Sequence, residues 1–530
     1  MVPPAAMITD FEGTTTVASA RHDEVERKYD VAPGTAFPTL TGLQGVFTKG
    51  RPVEQDLEAV YFDTVAFDLA RQGATLRRRT GGDDAGWHLK LPKRKDTRTE
   101  WQLPLGRATK TVPERLLAPV RSQVRDRKLV PVVRVHTRRL EHTLLDADGR
   151  VLARVCDDEV HSEPLDGSLE PQTWREWEVE LIDGHRALLD EVEKQLVSAG
   201  AMPTSMPSKL ARSLGDAIAD PPNTTADLPS RKKLAQGSAA QLLRSHLVDQ
   251  VAQLHAQDAR LRTEEPGSVH KLRIAARRLR STLKTYKPLL EPGAPDSLGE
   301  ELRWLGQCLA DARDAQVLRE RLHDLVDAEP AELVLGPVRA RIDHELTNSY
   351  RTGLERAHAA LDSDRYFRLL DALDDLVATA PLTAEADTPA KKLLPHLLQR
   401  DAKRLRRAVG DVTASRDAAR HDAALHEARK KAKRMRYSAE SAVPVLGKRA
   451  KKLAALSKHI QEALGEHQDA VVSRIRLCEY GVQAHLAGEN GFTFGRLHAL
   501  EQARADQSER EFRSAWKALP VKKLTRWMRT

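Results

Sequence analysis

Aromatic residues are scarce in this 530-residue chain, at 4%, and there are only three cysteines, Cys156, Cys308 and Cys478. Thiols so far apart offer neither a disulfide framework nor a zinc site, and they suit a reducing compartment. No apolar run approaches the length of a membrane span. The opening, MVPPAAMITDFEGTTTVASARHD, lacks a charged leader followed by an apolar block. A cytoplasmic soluble protein is the expectation. Charge, by contrast, is plentiful: 85 basic and 76 acidic side chains leave a net +9. So small an excess implies local segregation of charge more than a uniformly basic coat. The length allows roughly two to four domains.

The two halves differ in character. Up to about residue 200 the text alternates with period two, as in ATLRRRTG, GWHLKLPKR, TRTEWQLPL, RVLARVCDDEV and WREWEVELIDG. Such short segments bounded by Gly, Pro or Asp read as strands, with helices predicted at 112–127 and 184–199. IADPPNTTADLPSRKKLAQGS then reads as a linker. From about Ala239 amphipathic helical patterns dominate. We therefore expect a disordered terminus over 1–19, an α+β domain over 20–215, a linker over 216–235 and an all-α domain over 236–528.

Residues two apart share one face of a strand. That rule groups Glu24, Glu26 and Lys28; Arg77 and Arg79; His88 and Lys90; Arg98, Glu100 and Gln102; Arg134, His136 and Arg138; Arg154, Cys156 and Asp158; and Glu176, Glu178 and Glu180. A single charged face is ordinarily the wet side of an antiparallel sheet. Seven such faces, sorted into paired carboxylates and paired cations, also fit a barrel interior. Arginine and lysine there would hold phosphate oxygens, and clustered carboxylates would hold a hard divalent cation, Mg²⁺ or Mn²⁺.

Glu24-x-Glu26-x-Lys28 resembles the ExExK signature of the CYTH, or triphosphate tunnel metalloenzyme, family. The resemblance continues in order through YFDT at 61–64, TLRRR at 75–79, HLKLP at 88–92, WREWEVEL and SKLAR at 208–212. It implies an eight-stranded antiparallel β tunnel with flanking helices that hydrolyses a phosphoanhydride with a metal ion. It also implies Glu24, Glu26 and Lys28 as catalytic positions, and Glu24, Glu26, Asp158, Glu176 and Glu178 as metal ligands. Lys28, Arg77, Arg79, Lys90, Arg138 and Lys209 are the implied triphosphate-binding set. Neighbouring Arg139 and Asp157 offer another register, because a slip of one residue turns a side chain to the opposite face. No Ser-His-Asp, Cys-His or P-loop pattern stands out, so direct attack by water is the simpler mechanism.

The helical half repeats itself. VHKLRIAARRLRSTLKTYKPLL aligns with LHEARKKAKRMRYSAESAVPVL at an offset of 156, and WLGQCLADARDAQVL with HIQEALGEHQDAVVS at 155. Such a period is too long for a solenoid unit and points to a duplicated helical bundle with pseudo-twofold symmetry. His270, Arg273, Arg277, Arg280 and Lys284 step by three and four along one helix face, as do His426, Arg429, Lys433 and Arg436 until Glu440 replaces the last lysine. This text resembles the CHAD domain, which implies that the duplicated helical domain binds inorganic polyphosphate through His270, Arg273, Arg277, Arg280, His426, Arg429, Lys433 and Arg436. Lys271, Lys403, Arg407, Lys430 and Arg434 are further candidates.

A nucleic acid would also seek basic helices, but these stripes carry no aromatics for base stacking and no leucine heptad follows them. The expected function is metal-dependent hydrolysis of triphosphate, polyphosphate or an organic triphosphate, joined to polyphosphate binding. Association with polyphosphate granules would follow from that binding. A non-catalytic polyphosphate-binding protein and an adenylate cyclase-like enzyme remain alternatives at this point.

Overall fold

The computed structural model describes residues 20–218 and 229–518 except 95, 108, 168 and 416, together with 7–9, 15–17 and 526–528. Two compact units divide at Pro221/Pro222. Of the expected disordered terminus, residues 7–9 and 15–17 form a short antiparallel ladder, and the rest lies outside the described residues. So does 219–228 of the expected linker, while Arg231–Gln236 within it is helical.

In the first unit eight strands close into an antiparallel barrel: β1 (Ala20–Val31), β2 (Val53–Asp63), β3 (Thr75–Thr80), β4 (Gly86–Arg94), β5 (Thr97–Leu103), β6 (Val130–Leu145), β7 (Val151–Pro164) and β8 (Gln172–Leu181). Their order around the ring is β7-β8-β1-β5-β4-β3-β2-β6, and β6 pairs back onto β7. Closure removes the open edges. The barrel is charged inside and apolar outside. On β8, for example, Trp177 and Val179 face outward and pack with Tyr29, Val31 and Val155 beneath helix α1 (Arg186–Ser198), which supplies Leu188, Leu189, Val192 and Leu196. Glu176, Glu178 and Glu180, offset by one residue, face the interior. Strand alternation thus fixes both faces at once.

Helix α2 (Lys209–Leu214) is capped by Ser208, whose Oγ accepts from the Ala211 amide at 3.0 Å. Its Leu210 and Leu214 pack with Ala59, Tyr61, Val133, Val135, Val160 and Trp174, filling one section of the interior with apolar side chains. That anchoring aims Lys209 into the charged section.

The second unit is helical. The repeat copies lie on α3 (Ser268–Thr285) and α4 (Ala418–Ser441), whose apolar faces share one core, including Leu272, Leu279, Leu425 and Met435. The pseudo-twofold relation is visible in the contacts. Arg278 donates to Glu440 at 3.2 Å, and Arg434, its counterpart, donates to the carbonyl of Lys284, the counterpart of Glu440, at 2.9 Å. Among the described residues, no helix is long and apolar enough to cross a membrane.

Candidate functional site: a charged tunnel and a paired basic seam

The register of the barrel builds the first site. Asp158 stands opposite Glu176 on one neighbouring strand and Arg139 on the other, and Glu178 stands opposite Lys28. Lys209 reaches all three carboxylates, Asp158 at 2.9 Å, Glu176 at 2.6 Å and Glu178 at 2.8 Å. Arg139 forks onto Asp158 at 2.8 and 2.7 Å and reaches Glu178 at 2.8 Å. Lys28 joins Glu26 at 2.7 Å and also bonds Glu178. Further round the ring, Lys90 holds Glu24 at 2.6 Å, and His88 lies 2.7 Å from Glu100.

Burying this many charges is tolerable only because each ion faces an opposite one. Burial opposes the charge of Glu24 and Glu176, and there it outweighs the nearby lysines, so both carboxyls are raised. Burial also opposes ionisation of Glu26, yet Lys28 and Lys90 prevail and bring it down to about 2. Glu178 is held well below the usual carboxylate range, against burial, by Lys209, Lys28 and Arg139.

Two features are left open. Arg77, Arg79, Arg139 and Lys209 line a small cavity with Tyr61 and Thr137, and the Nε atoms of Arg77 and Arg79 are buried without a hydrogen-bond partner. Arg79 pairs with Asp84, yet burial, then Arg77 and Arg139, pushes it below its ordinary value. Across Lys209 from this cavity, Asp158, Glu176 and Glu178 bring ligand atoms within 4.8 Å of one another. Two buried carboxylates and a half-buried one are a donor set that fits a hard divalent cation. Glu24 and Glu26 are not in that group, although Oε2 of Glu24 is buried and unpartnered.

Of the expected tunnel residues, Glu24, Glu26, Lys28, Arg77, Arg79, Lys90, Asp158, Glu176, Glu178 and Lys209 converge on the interior. Arg138 does not, and its placement is corrected: its side chain is 66% exposed and pairs with Glu54 at 2.7 Å. Arg139 takes the interior place because Val133 and Val135 face inward, which puts odd-numbered positions of this part of β6 inside. Arg134 and His136 lie outward with Arg138. Glu100 and His88, which fit the face alternation without an assigned role, are buried in the interior.

In the helical unit the stripes of α3 and α4 meet in a seam. Arg277 Nε donates to Tyr437 Oη at 3.1 Å, and the guanidinium groups of Arg277, Arg278 and Arg436 all lie near the ring of that tyrosine. Burial, then the charges of Arg429 and Arg277, brings Lys433 down to about 7. Burial, then Arg277 and Arg273, also lowers Arg429 against the pull of Asp469, so cations from both copies share one field. Matched aspartates orient matched arginines: Arg273 reaches Asp314 at 2.6 Å, and Arg429 approaches Asp469 at 3.7 Å. His426 Nδ1 lies 2.8 Å from Gln468 Oε1, and burial followed by nearby Arg313, Arg277 and Arg273 lowers His270. Arg280 Nε is buried without a partner, whereas Arg436 is engaged by Glu440 at 2.7 Å. The repeated aspartate was legible in DARDAQ and EHQDAV; Tyr437 had no spacing signal.

The chain thus combines a charged antiparallel tunnel with a duplicated helical unit that carries a basic seam. The chain matches the CYTH domain over residues 22–214 and the CHAD domain over residues 245–478, and it belongs to the CYTH–CHAD proteins. CYTH members are metal-dependent triphosphate tunnel enzymes. The chain is 39% identical over 516 residues to an uncharacterized protein found in two strains of Mycobacterium tuberculosis, across 94% of this chain and 97% of that one. Among solved structures, PptA from Streptomyces chartreusis is 24% identical, with a TM-score of 0.45, covering 53% of this chain and 100% of that one. The CHAD domain from the plant Ricinus communis is 22% identical, with a TM-score of 0.43, covering 57% and 98%.

Proposed function

We propose that the tunnel hydrolyses a phosphoanhydride bond of inorganic triphosphate or polyphosphate, and that the helical unit holds inorganic polyphosphate. The observation that carries the first half is the pair Arg77 and Arg79, with buried, unpartnered Nε donors beside three clustered carboxylates. Guanidinium groups of this kind suit the equatorial oxygens of a phosphoryl group. Asp158, Glu176 and Glu178, with Glu24 and Glu26 nearby, would hold Mg²⁺ or Mn²⁺, which supplies Lewis-acid polarisation of phosphate oxygens.

The chain's own residues set the rest. Arg77, Arg79, Arg139 and Lys209 orient the phosphate chain and neutralise the leaving phosphate. Lys28 and Lys90 keep Glu26 and Glu24 fixed on the interior face. Water then forms a bond to phosphorus as the anhydride bond breaks, and no protein nucleophile is needed. In the helical unit, support comes from the seam of Arg273, Arg277, Arg429 and Lys433, which gathers cations from both repeats.

Assays of the whole chain with inorganic triphosphate, long-chain polyphosphate and ATP, in Mg²⁺ and in Mn²⁺, test this reading. Phosphate release from triphosphate or polyphosphate that is lost in Glu24→Ala and Glu26→Ala is expected. Cyclic nucleotide formed from ATP would select a cyclase, and polyphosphate binding with no release would select a non-catalytic protein.

A further inference from the structure

The two poles of the helical unit differ at positions that the repeat makes equivalent. Helix α3 carries its stripe past Arg280 to Lys284, and the matching residue on α4 is Glu440. The difference extends to the flanking helices Ala239–Arg262 and Ala390–Ala414. Leu242 and Leu243 align there with Leu397 and Leu398 at an offset of 155, so that Ser245 matches Arg400 and Asp249 matches Arg404. His246 bonds Thr282 at 3.1 Å, just as its counterpart Asp401 accepts from Ser438, the counterpart of Thr282, at 2.5 Å. One pole therefore has serine, aspartate and glutamate where the other has two arginines and a lysine.

At the basic pole these substitutions line a cavity with Lys284, Lys287, Arg400, Arg404 and Arg434. The carboxylates at hand are few. Asp296 is occupied by Lys287 at 2.6 Å, and Asp401 is shared by Arg404 at 2.9 Å and Arg434 at 2.8 Å. Nearby Glu300 is engaged by Arg303 at 3.3 Å. Among the described residues, neither Lys284 nor Arg400 has an ion-pair partner. Burial, then Arg280 and Arg434, lowers Lys284 from its ordinary value, which agrees with a surplus of positive charge. At the opposite pole Arg278 is neutralised by Glu440.

We propose that this cavity is a one-sided extension of the phosphate-binding seam, taking the outer part of a condensed-phosphate chain whose inner part lies between α3 and α4. This rests on the polyphosphate reading of the helical unit and adds length selectivity and direction to it. From His270 to Lys284 the helix rises about 21 Å, at ~1.5 Å per residue. Tripolyphosphate is much shorter and fills only the seam, while a long chain reaches the cavity and leaves the unit by that pole. At the other pole Glu440 is taken up by Arg278 and Arg436 and so competes with a chain for those cations.

The test uses the full chain and two probes at one fixed salt concentration, inorganic tripolyphosphate and long-chain inorganic polyphosphate, with affinity measured by titration calorimetry. The double variant Lys284→Ala with Arg400→Ala is expected to weaken the long chain by about tenfold and to leave tripolyphosphate within twofold, roughly the spread of near-neutral surface changes. Arg339→Ala with Arg351→Ala removes the same charge from helix Val338–Leu361 and should change neither. Glu440→Lys, which makes the second pole basic, should tighten only the long chain. Equal losses for both probes, or no loss for either, would overturn the extension. Failure of the unaltered chain to bind either probe would overturn the polyphosphate reading, and the extension with it.

Discussion

In the tunnel, cations and carboxylates face one another across a closed ring; in the helical seam, cations from two repeats face one another with few acids between them. Lys209 alone contacts three carboxylates, whereas Lys433 has Arg429, Arg277 and Arg273 beside it, countered by Asp469. A ligand of the tunnel must therefore replace internal ion pairs, and it can do so without leaving a stranded charge only by bringing both signs, a phosphate chain and a metal ion. A ligand of the seam need bring only negative charge. The tunnel suits chemistry on a metal-bound anion and the seam suits holding one.

The comparison breaks most visibly at Lys209. Lys209→Met leaves Glu176 without its cation and takes one of the cations from each of Asp158 and Glu178, which should cost about 3–5 kcal/mol of stability in the first unit, read by chemical denaturation. Divalent metal should recover part of that loss, because it supplies the missing positive charge. Next in size is the seam. Arg277→Ala with Arg429→Ala should weaken polyphosphate binding by about tenfold or more while leaving phosphate release from triphosphate unchanged, since both residues belong to the helical unit.

A smaller effect follows from Lys433, whose pKa lies near 7 because burial and neighbouring arginines disfavour its charge. On the proposed reading it is the ammonium form, present below that pH, that would attract polyphosphate. Affinity should then fall roughly threefold to tenfold between about pH 6 and pH 8, with proton uptake on binding. Lys433→Arg should flatten the profile. At the bottom of the scale, Arg138→Ala should change neither turnover nor stability measurably, whereas Arg139→Ala should impair both. The reverse pattern would mean that β6 is in the other register.

Much of this contrast was legible before the fold was known. Alternation in HDEVERKYD and WREWEVEL already sorts ions from apolar residues, because a strand offers only two faces. The spacing of His270, Arg273, Arg277 and Arg280 likewise declares a helical stripe. What escaped was set by pairings distant in sequence. VRVHTRR holds cations on both faces of β6, and the choice between Arg138 and Arg139 is made by which face β7 and α2 cover. Tyr437 follows a basic run with nothing to mark it, yet it meets Arg277 through the packing of α3 on α4. The asymmetry of the poles was visible at Lys284 and Glu440, but its extent emerged only when Arg400 and Arg404 were brought beside them.

The contrast is tested most directly by withdrawing divalent metal from one sample and following two signals, phosphate release from inorganic triphosphate and binding of long-chain polyphosphate. The account predicts that a chelator abolishes release and leaves binding intact at matched ionic strength. Release that persists without metal, or binding that disappears with it, would contradict the division of labour between tunnel and seam.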